Sequence, residues 1–431
     1  MDTHTIDKLL AFLDASPVNF LAVRNCADIL DKAGFSRIDP CMPIGKVKAG
    51  DKLYATKNDS SIYAFQIGNK PMDETGFRMI CAHADSPTFR IKPNAEINCE
   101  GGLVKLNTEV YGGPIMSTWF DRPLTLAGRV VVRGADIMHP DTLLLHVKRP
   151  LMQISNLAIH FNREVNDGVK LSKQKDMQPI LGIVNGVCEK GNMLINLICD
   201  ELHVKADDIL DFDIYLADAA PACLFGMHNE FVSSGRLDDL SMCFAGLEAL
   251  VSSPQTDTTK VLAIFDNEET GSQTKQGAGS PFLASMLRRL VMAQGGNEES
   301  FLQAVERAFM VSADNAHAWH PNYNEKYDPT NHPVLGGGPV IKFNAAQKYA
   351  SDAVSAAVFA DVCKEAGVPC QRFVNHSDVA GGSTLGNIFA SSLPVRGVDM
   401  GNAILAMHSC RETGSVADHE YCVMAFTRFF C

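Results

Sequence analysis

His83-Ala84-Asp85, Asp238-Asp239, Glu268-Glu269, Asp314 and His408 are the positions of this chain whose residue types and settings suit chemistry. His83-Ala84-Asp85 closes the apolar run 77–82. There it either caps a turn or offers a metal-binding imidazole whose second N–H a nearby carboxylate orients. Asp238-Asp239 opens an amphipathic stretch, where acids commonly satisfy the unpaired N–H groups of a helix start. Glu268-Glu269 is harder to ascribe to structure alone. Adjacent acids directly after a buried strand repel each other, and a metal ion offsets that repulsion if one is a general base and its neighbour a ligand. Asp314 and His408 stand at comparable strand-to-loop positions. Together these sites supply His, Asp, Glu, Asp and His, an N/O set suited to a pair of divalent first-row ions such as zinc, with one carboxylate bridging. No HExxH helix occurs, so the mononuclear metalloprotease pattern is absent.

The elements that must position these groups are written in the apolar pattern. Consecutive apolar residues in 77–82, 261–265, 308–313 and 395–398 predict strands covered on both faces, each running into polar residues, the last into Asp399. Strand ends of an open parallel sheet converge on one crevice. Leu240, Phe244, Leu247 and Val251 predict a helix from Asp238, and Val354, Val358 and Val362 predict another over 352–365, closed by Gly367. Further helices flank Ser16-Pro17. Between 89 and 231 the texture changes to short alternating runs broken by Gly, Pro, Asn and Asp. The expected fold is α/β: a mostly parallel-sheet catalytic domain, residues 1–90 and 234–431, interrupted by a mostly β domain at 91–233.

Composition narrows the partners. Among 431 residues, 38 Lys and Arg face 50 Asp and Glu, a net charge of −12 that opposes binding to nucleic acid or anionic lipid. Thirteen cysteines, an odd number without a CxxC pair, fit neither a disulfide framework nor a cysteine zinc ribbon, and point to reduced thiols in the cytoplasm. Asp2, Asp7 and Asp14 precede and interrupt the first apolar residues, unlike a signal peptide, and no run approaches the ~18–20 apolar residues of a membrane span. The glycine-rich run 381–386 lacks the Lys of a phosphate loop.

Ordered motifs run the length of the chain: Phe12-Leu13-Asp14-Ala15-Ser16-Pro17, His83-Ala84-Asp85-Ser86-Pro87, Arg236-Leu237-Asp238-Asp239 and Asp266-Asn267-Glu268-Glu269-Thr270-Gly271-Ser272. They continue with His320-Pro321-Asn322-Tyr323, Gly338-Pro339-Val340-Ile341-Lys342, Gly382-Ser383-Thr384-Leu385-Gly386 and Ala406-Met407-His408-Ser409-Cys410-Arg411-Glu412. In these the sequence resembles the aspartyl aminopeptidases. The resemblance implies that Asp238 bridges two zinc ions, with His83 and Asp314 completing one site and Glu269 and His408 the other. It makes Glu268 the general base, with Asp85, beside His83, as a second catalytic residue, and has Lys342, Tyr349 and Ser383 line a pocket for an acidic substrate side chain. It also implies that the inserted domain forms a dimer contact, across which His160 reaches the neighbour's active site, and that dimers assemble into a tetrahedral dodecamer. Two departures stand out: Asp239 where many members carry Asn, and Thr270 where they carry Val.

The expected function is release of amino-terminal residues, preferentially Asp or Glu, from peptides through a dinuclear zinc-activated hydroxide. A neutral, Leu-like preference is the nearest alternative, and activity on acidic against leucyl substrates separates the two. A non-catalytic assembly scaffold that has kept the fold is the other alternative. Loss of Glu268 or of a ligand would mark it, and all of them are present.

Overall fold

The uninterrupted apolar runs become the middle of a nine-stranded sheet in a computed structural model that describes residues 3–184 and 192–431. Across the sheet the strands lie in the order Ser36–Arg37, Lys52–Lys57, Ser61–Gln66, Thr259–Phe265, Phe77–His83, Phe309–Ala313, Arg396–Gly401, Val340–Phe343 and Gln371–Val374. Thr259–Phe265, Phe77–His83, Phe309–Ala313 and Arg396–Gly401 are mutually parallel, so their carboxyl ends share one edge. Antiparallel pairings enter on both sides of this core, at Ser61–Gln66 and at Val340–Phe343. The expected sheet is therefore mostly parallel but mixed at its flanks.

Both faces are covered, which is why these strands carry no polar alternation. On one face, Leu240, Phe244 and Leu247 of helix Leu237–Ser252 pack with Cys422, Phe426 and Phe430 of helix Val416–Phe430 and with the amino-terminal helices Thr3–Ala15 and Asn19–Lys32. On the other, helices Phe282–Gln294, Glu298–Glu306 and Leu385–Ser392 bury Leu287, Phe301 and Phe389 against the sheet. Helix Ala353–Ala366 begins with a capping box between Asp352 and Ser355 and ends at Gly367, whose φ of 71° is the left-handed conformation expected past a helix end. No described helix is long and apolar enough to cross a membrane.

The chain divides into two units, one of residues 1–85, 222–407 and 412–431, the other of residues 86–221 and 408–411. The second has an antiparallel six-stranded sheet in the order His139–His146, Leu124–Asp136, Ile209–Asp218, Thr88–Asn98, Leu103–Tyr111 and Ile180–Ile183. Helix Met193–Leu202 lays Leu194 and Ile198 into its core, where Phe89 and Trp119 meet edge to face at 5.1 Å. The observed breaks precede those expected at 90 and 233. Thr88–Asn98 already belongs to the second sheet, and the hairpin Cys223–Phe225 with Phe231–Ser234 joins Glu412–Ser415 in the first unit.

Candidate metal centre

Strand ends of the first unit deliver the reactive side chains, as the crevice argument requires. His83 is the last residue of its strand and only 1% exposed. Its Nδ1 lies 3.0 Å from the Asp85 carbonyl and 3.4 Å from Asp85 Oδ1, which assigns a ring proton to Nδ1 and turns Nε2 toward Asp238 Oδ1 at 3.6 Å. Asp85 also organises the paired acids. Its two carboxylate oxygens accept from the backbone N–H groups of Glu268 and Glu269, each at 3.1 Å, and so fix the single helical turn on which both stand. Asp238 and Asp239 lie in the first turn of helix Leu237–Ser252, joined by a cis peptide bond. The Asp238 N–H donates to Glu412 at 3.0 Å, and the His83 N–H to Asp239 at 3.1 Å. Asp314 follows the strand Phe309–Ala313 and is tied to the next one by its N–H to Met400 O at 2.9 Å.

These elements converge. One ligand atom from each of His83, Asp238, Asp239 and Asp314 lies within 4.8 Å of the others, and His83 forms a second such group with Glu268 and Glu269. Burial pushes the carboxyl groups of Asp239, Glu269 and Asp314 up from their ordinary range and takes Glu268 up to about 8, because each anion would sit among other acids. Burial pulls His83 down, but the charges of Asp239, Asp238 and Asp85 outweigh it and hold the imidazole well above its usual value. Asp239 Oδ1 is buried with no hydrogen-bond partner among the described residues. A cluster this acidic cannot ionise fully by itself, whereas divalent cations restore the carboxylates and accept the imidazole lone pair. The donor set fits zinc, with hard oxygens and one well-oriented nitrogen.

The family description "Aminopeptidase I zinc metalloprotease (M18)" matches residues 12–430. The chain belongs to this M18 family. A probable M18 family aminopeptidase 2 of Clostridium novyi (strain NT) is 49% identical over 424 residues, covering 98% of both chains. Among solved structures, a chain of the cryo-EM structure of the Ape4 and Nbr1 complex is 37% identical with a TM-score of 0.95, over 99% of this chain and 85% of that one. The S. cerevesiae mApe1 dodecamer shares the fold at 24% identity and a TM-score of 0.85, over 98% of this chain and 95% of that one. The protein is thus a member of a zinc aminopeptidase family, and the acid cluster is a group of side chains that could hold a metal ion.

The remaining candidates of this M18 chain have distinct settings. Lys342 is neither at a sheet edge nor at the surface: its strand lies between two others and the side chain is 3% exposed. Its ammonium donates to the carbonyls of Asp314 at 2.7 Å and Asn315 at 3.2 Å, with Asp314 Oδ1 at 3.6 Å and the Tyr349 ring centroid at 5.3 Å. Burial opposes the charge, and the Asp314 carboxylate overrides it, so the lysine is held above its ordinary range. Ser383 is exposed, its hydroxyl donating to Asn387 at 3.0 Å. In the second unit, His408 Nδ1 lies 3.1 Å from Gly113 O, which again puts the ring proton on Nδ1. His160 sits in the turn Ile159–Phe161, exposed and flanked by exposed Leu157, Ile159 and Phe161.

Sequence reasoning missed the supports. Glu412 beneath Asp238 lies inside a quoted motif but carried no role. Asn315, which donates to Leu237 O at 2.7 Å and to Ser241 Oγ at 3.0 Å, had no signal beyond following Asp314.

Proposed function

We propose that this M18 aminopeptidase removes amino-terminal Asp or Glu from peptides at a dinuclear zinc centre. The reading rests on the convergence of His83, Asp238, Asp239, Asp314, Glu268 and Glu269 in one buried cluster. By the resemblance, His83, Asp238 and Asp314 would hold one ion, and Asp238, Glu269 and His408 the other. Zinc bound there would supply Lewis acidity and bring the pKa of water toward neutrality.

The chain's own residues then handle protons and orientation. Glu268 takes the proton of the attacking water on its carboxylate and passes it to the leaving amine. Asp85 keeps Glu268 in place through the turn it grips, and keeps the His83 lone pair aimed at the cluster. Lys342 has three ammonium protons, two of them directed at Asp314 O and Asn315 O, and the third serves an acidic substrate side chain. Tyr349 and Ser383 line the same pocket. His160 of a neighbouring subunit stabilises the substrate carbonyl, and the exposed apolar residues around it suit burial against another copy. The chain assembles as a homo-oligomer, by likeness to the mApe1 dodecamer, and the resemblance to the aspartyl aminopeptidases implies dimers as the unit of a tetrahedral dodecamer. Thirteen cysteines without a CxxC pair support a cytoplasmic setting.

A panel of aminoacyl substrates, assayed with and without a chelator, tests the reading. Chelator-sensitive hydrolysis of aspartyl and glutamyl substrates over leucyl ones is expected. A leucyl preference would give the neutral alternative, and no hydrolysis of any substrate the scaffold.

A further inference from the structure

Asp399 ends an apolar run and was expected only to mark a strand end, yet it is fully buried and engaged on every side. Its Oδ1 accepts from the Thr384 hydroxyl at 2.7 Å, and its Oδ2 accepts from the Ala350 N–H. Its backbone N–H donates to Ser351 Oγ at 2.9 Å, and that hydroxyl donates back to the Asp399 carbonyl at 3.3 Å. One carboxylate therefore grips two chain-distant segments, the loop that carries Tyr349 and the loop that carries Ser383.

The same two segments are joined directly. Lys348 donates to Gly381 O at 2.6 Å, and Asn387 to Gln347 O at 3.4 Å. The close approach of the Ser383 segment to Asp399 is built into the backbone at Gly386, where a Cβ would come within 2.7 Å of Ser312 and 2.8 Å of Asp399 Oδ2, so no larger residue fits without a shift. A buried carboxylate is costly unless its oxygens are satisfied. Here the donors that satisfy it come from the two candidate pocket walls and from no other element named above. An apolar residue would fill a strand in a two-faced core at lower cost, so packing alone does not account for a charge at this position.

We propose that Asp399 is a positioning residue that sets the spacing between the Tyr349 and Ser383 walls of the substrate side-chain pocket. This rests on the proposed aminopeptidase reading. Among the described residues the hydrogen bonds of Asp399 go to Ala350, Ser351 and Thr384 and to no proposed metal ligand, while its charge reaches Asp314 and Lys342 only through space; its effect is on how well the pocket is formed before substrate arrives. Loosening the grip should therefore weaken substrate binding and leave the chemical step largely intact.

Three variants of the full, zinc-loaded assembly test this. Asp399→Asn keeps the shape and an acceptor for Ala350 N–H but turns the Thr384 contact into a neutral one. Thr384→Val removes that contact, and Thr384→Ser keeps it. Asp399→Asn and Thr384→Val should raise KM for an aspartyl substrate about three- to thirtyfold with kcat changed by less than about threefold, and Thr384→Ser should restore the parent KM. Amide hydrogen exchange, which needs no activity, should quicken at 346–351 and 381–387 together in the first two variants only. A fall in kcat at constant KM, or loss of zinc, would overturn the proposal, as would unchanged exchange in either segment. A parent inactive on every aminoacyl substrate would overturn the aminopeptidase reading, and the exchange data would then still decide whether Asp399 couples the two loops.

Discussion

Glu268 and Glu269 are neighbours in sequence to which the proposed mechanism gives different duties, and both stand on the turn gripped by Asp85. Changing Glu268 to Gln removes the base and keeps the shape. Turnover should fall by about two to four orders of magnitude while zinc content stays at the parent level. Turnover within a few-fold of the parent would reassign the base. Lys342 poses a different question, because it holds Asp314 as well as having the proposed role in the pocket. Lys342→Met keeps most of the stem and removes the charge. A charge-assisted hydrogen bond to an acidic side chain contributes about 1.5–3 kcal/mol, so kcat/KM on aspartyl or glutamyl substrates should drop roughly ten- to a hundredfold further than on leucyl ones. Equal loss on both, with zinc depleted, would show a lysine that only holds Asp314. That His83, Glu268, Glu269 and Asp314 are candidates was legible because such residues are unusual directly after buried strands, and the structure gathers them. What Asp239 and Asp399 hold was not legible, since each acts through backbone N–H groups or hydroxyls far away in sequence.

Helix Val416–Phe430 carries two buried titratable residues side by side, and their pH effects oppose. His419 stacks on Phe244 with centroids 6.0 Å apart, neither ring nitrogen has a hydrogen-bond partner among the described residues, and burial lowers it to about 4. Unfolded histidine titrates near 6.5, so the unfolded chain binds the extra proton first, and this stabilisation, present above about 6.5, is lost as pH falls toward 4. Asp418 accepts from the N–H groups of Gly336 at 2.8 Å and Gly338 at 2.7 Å, yet burial raises it to about 6. Its folded form takes up the proton first, so its contribution is fullest below about 4 and fades as pH rises through 6. His419→Phe removes the first effect alone. Thermal melts should show the variant gaining on the parent as pH drops from 7 to 5, by about 1–3 kcal/mol; a constant difference would mean that His419 is not held neutral. Whole elements were the most readable part of the sequence. The 77–82 and 261–265 runs, the 352–365 helix and its Gly367 stop follow local rules of burial and capping. The antiparallel flanks of the large sheet and the pairing of Phe231–Ser234 with Glu412–Ser415 did not show, because partner choice depends on segments far apart in the chain.

At the scale of the assembly, His160 decides whether one chain suffices. If it serves a neighbouring subunit, inactive His160→Ala and Glu268→Gln chains should regain activity when their dimers are dissociated and reassembled together, since one active site in each mixed dimer has both groups. No recovery despite verified subunit exchange would confine His160 to its own chain's surface. The two-unit division of the chain was readable as a change of texture, but the return of 408–411 to the second unit was not, because four residues carry no periodicity. The central claim is that the buried acid cluster holds a pair of zinc ions that the activity requires. Zinc measured per chain in the active, chromatographically homogeneous assembly tests it most directly. The account predicts two ions per chain, with activity lost on chelation and regained with zinc; full activity at one ion per chain would contradict it.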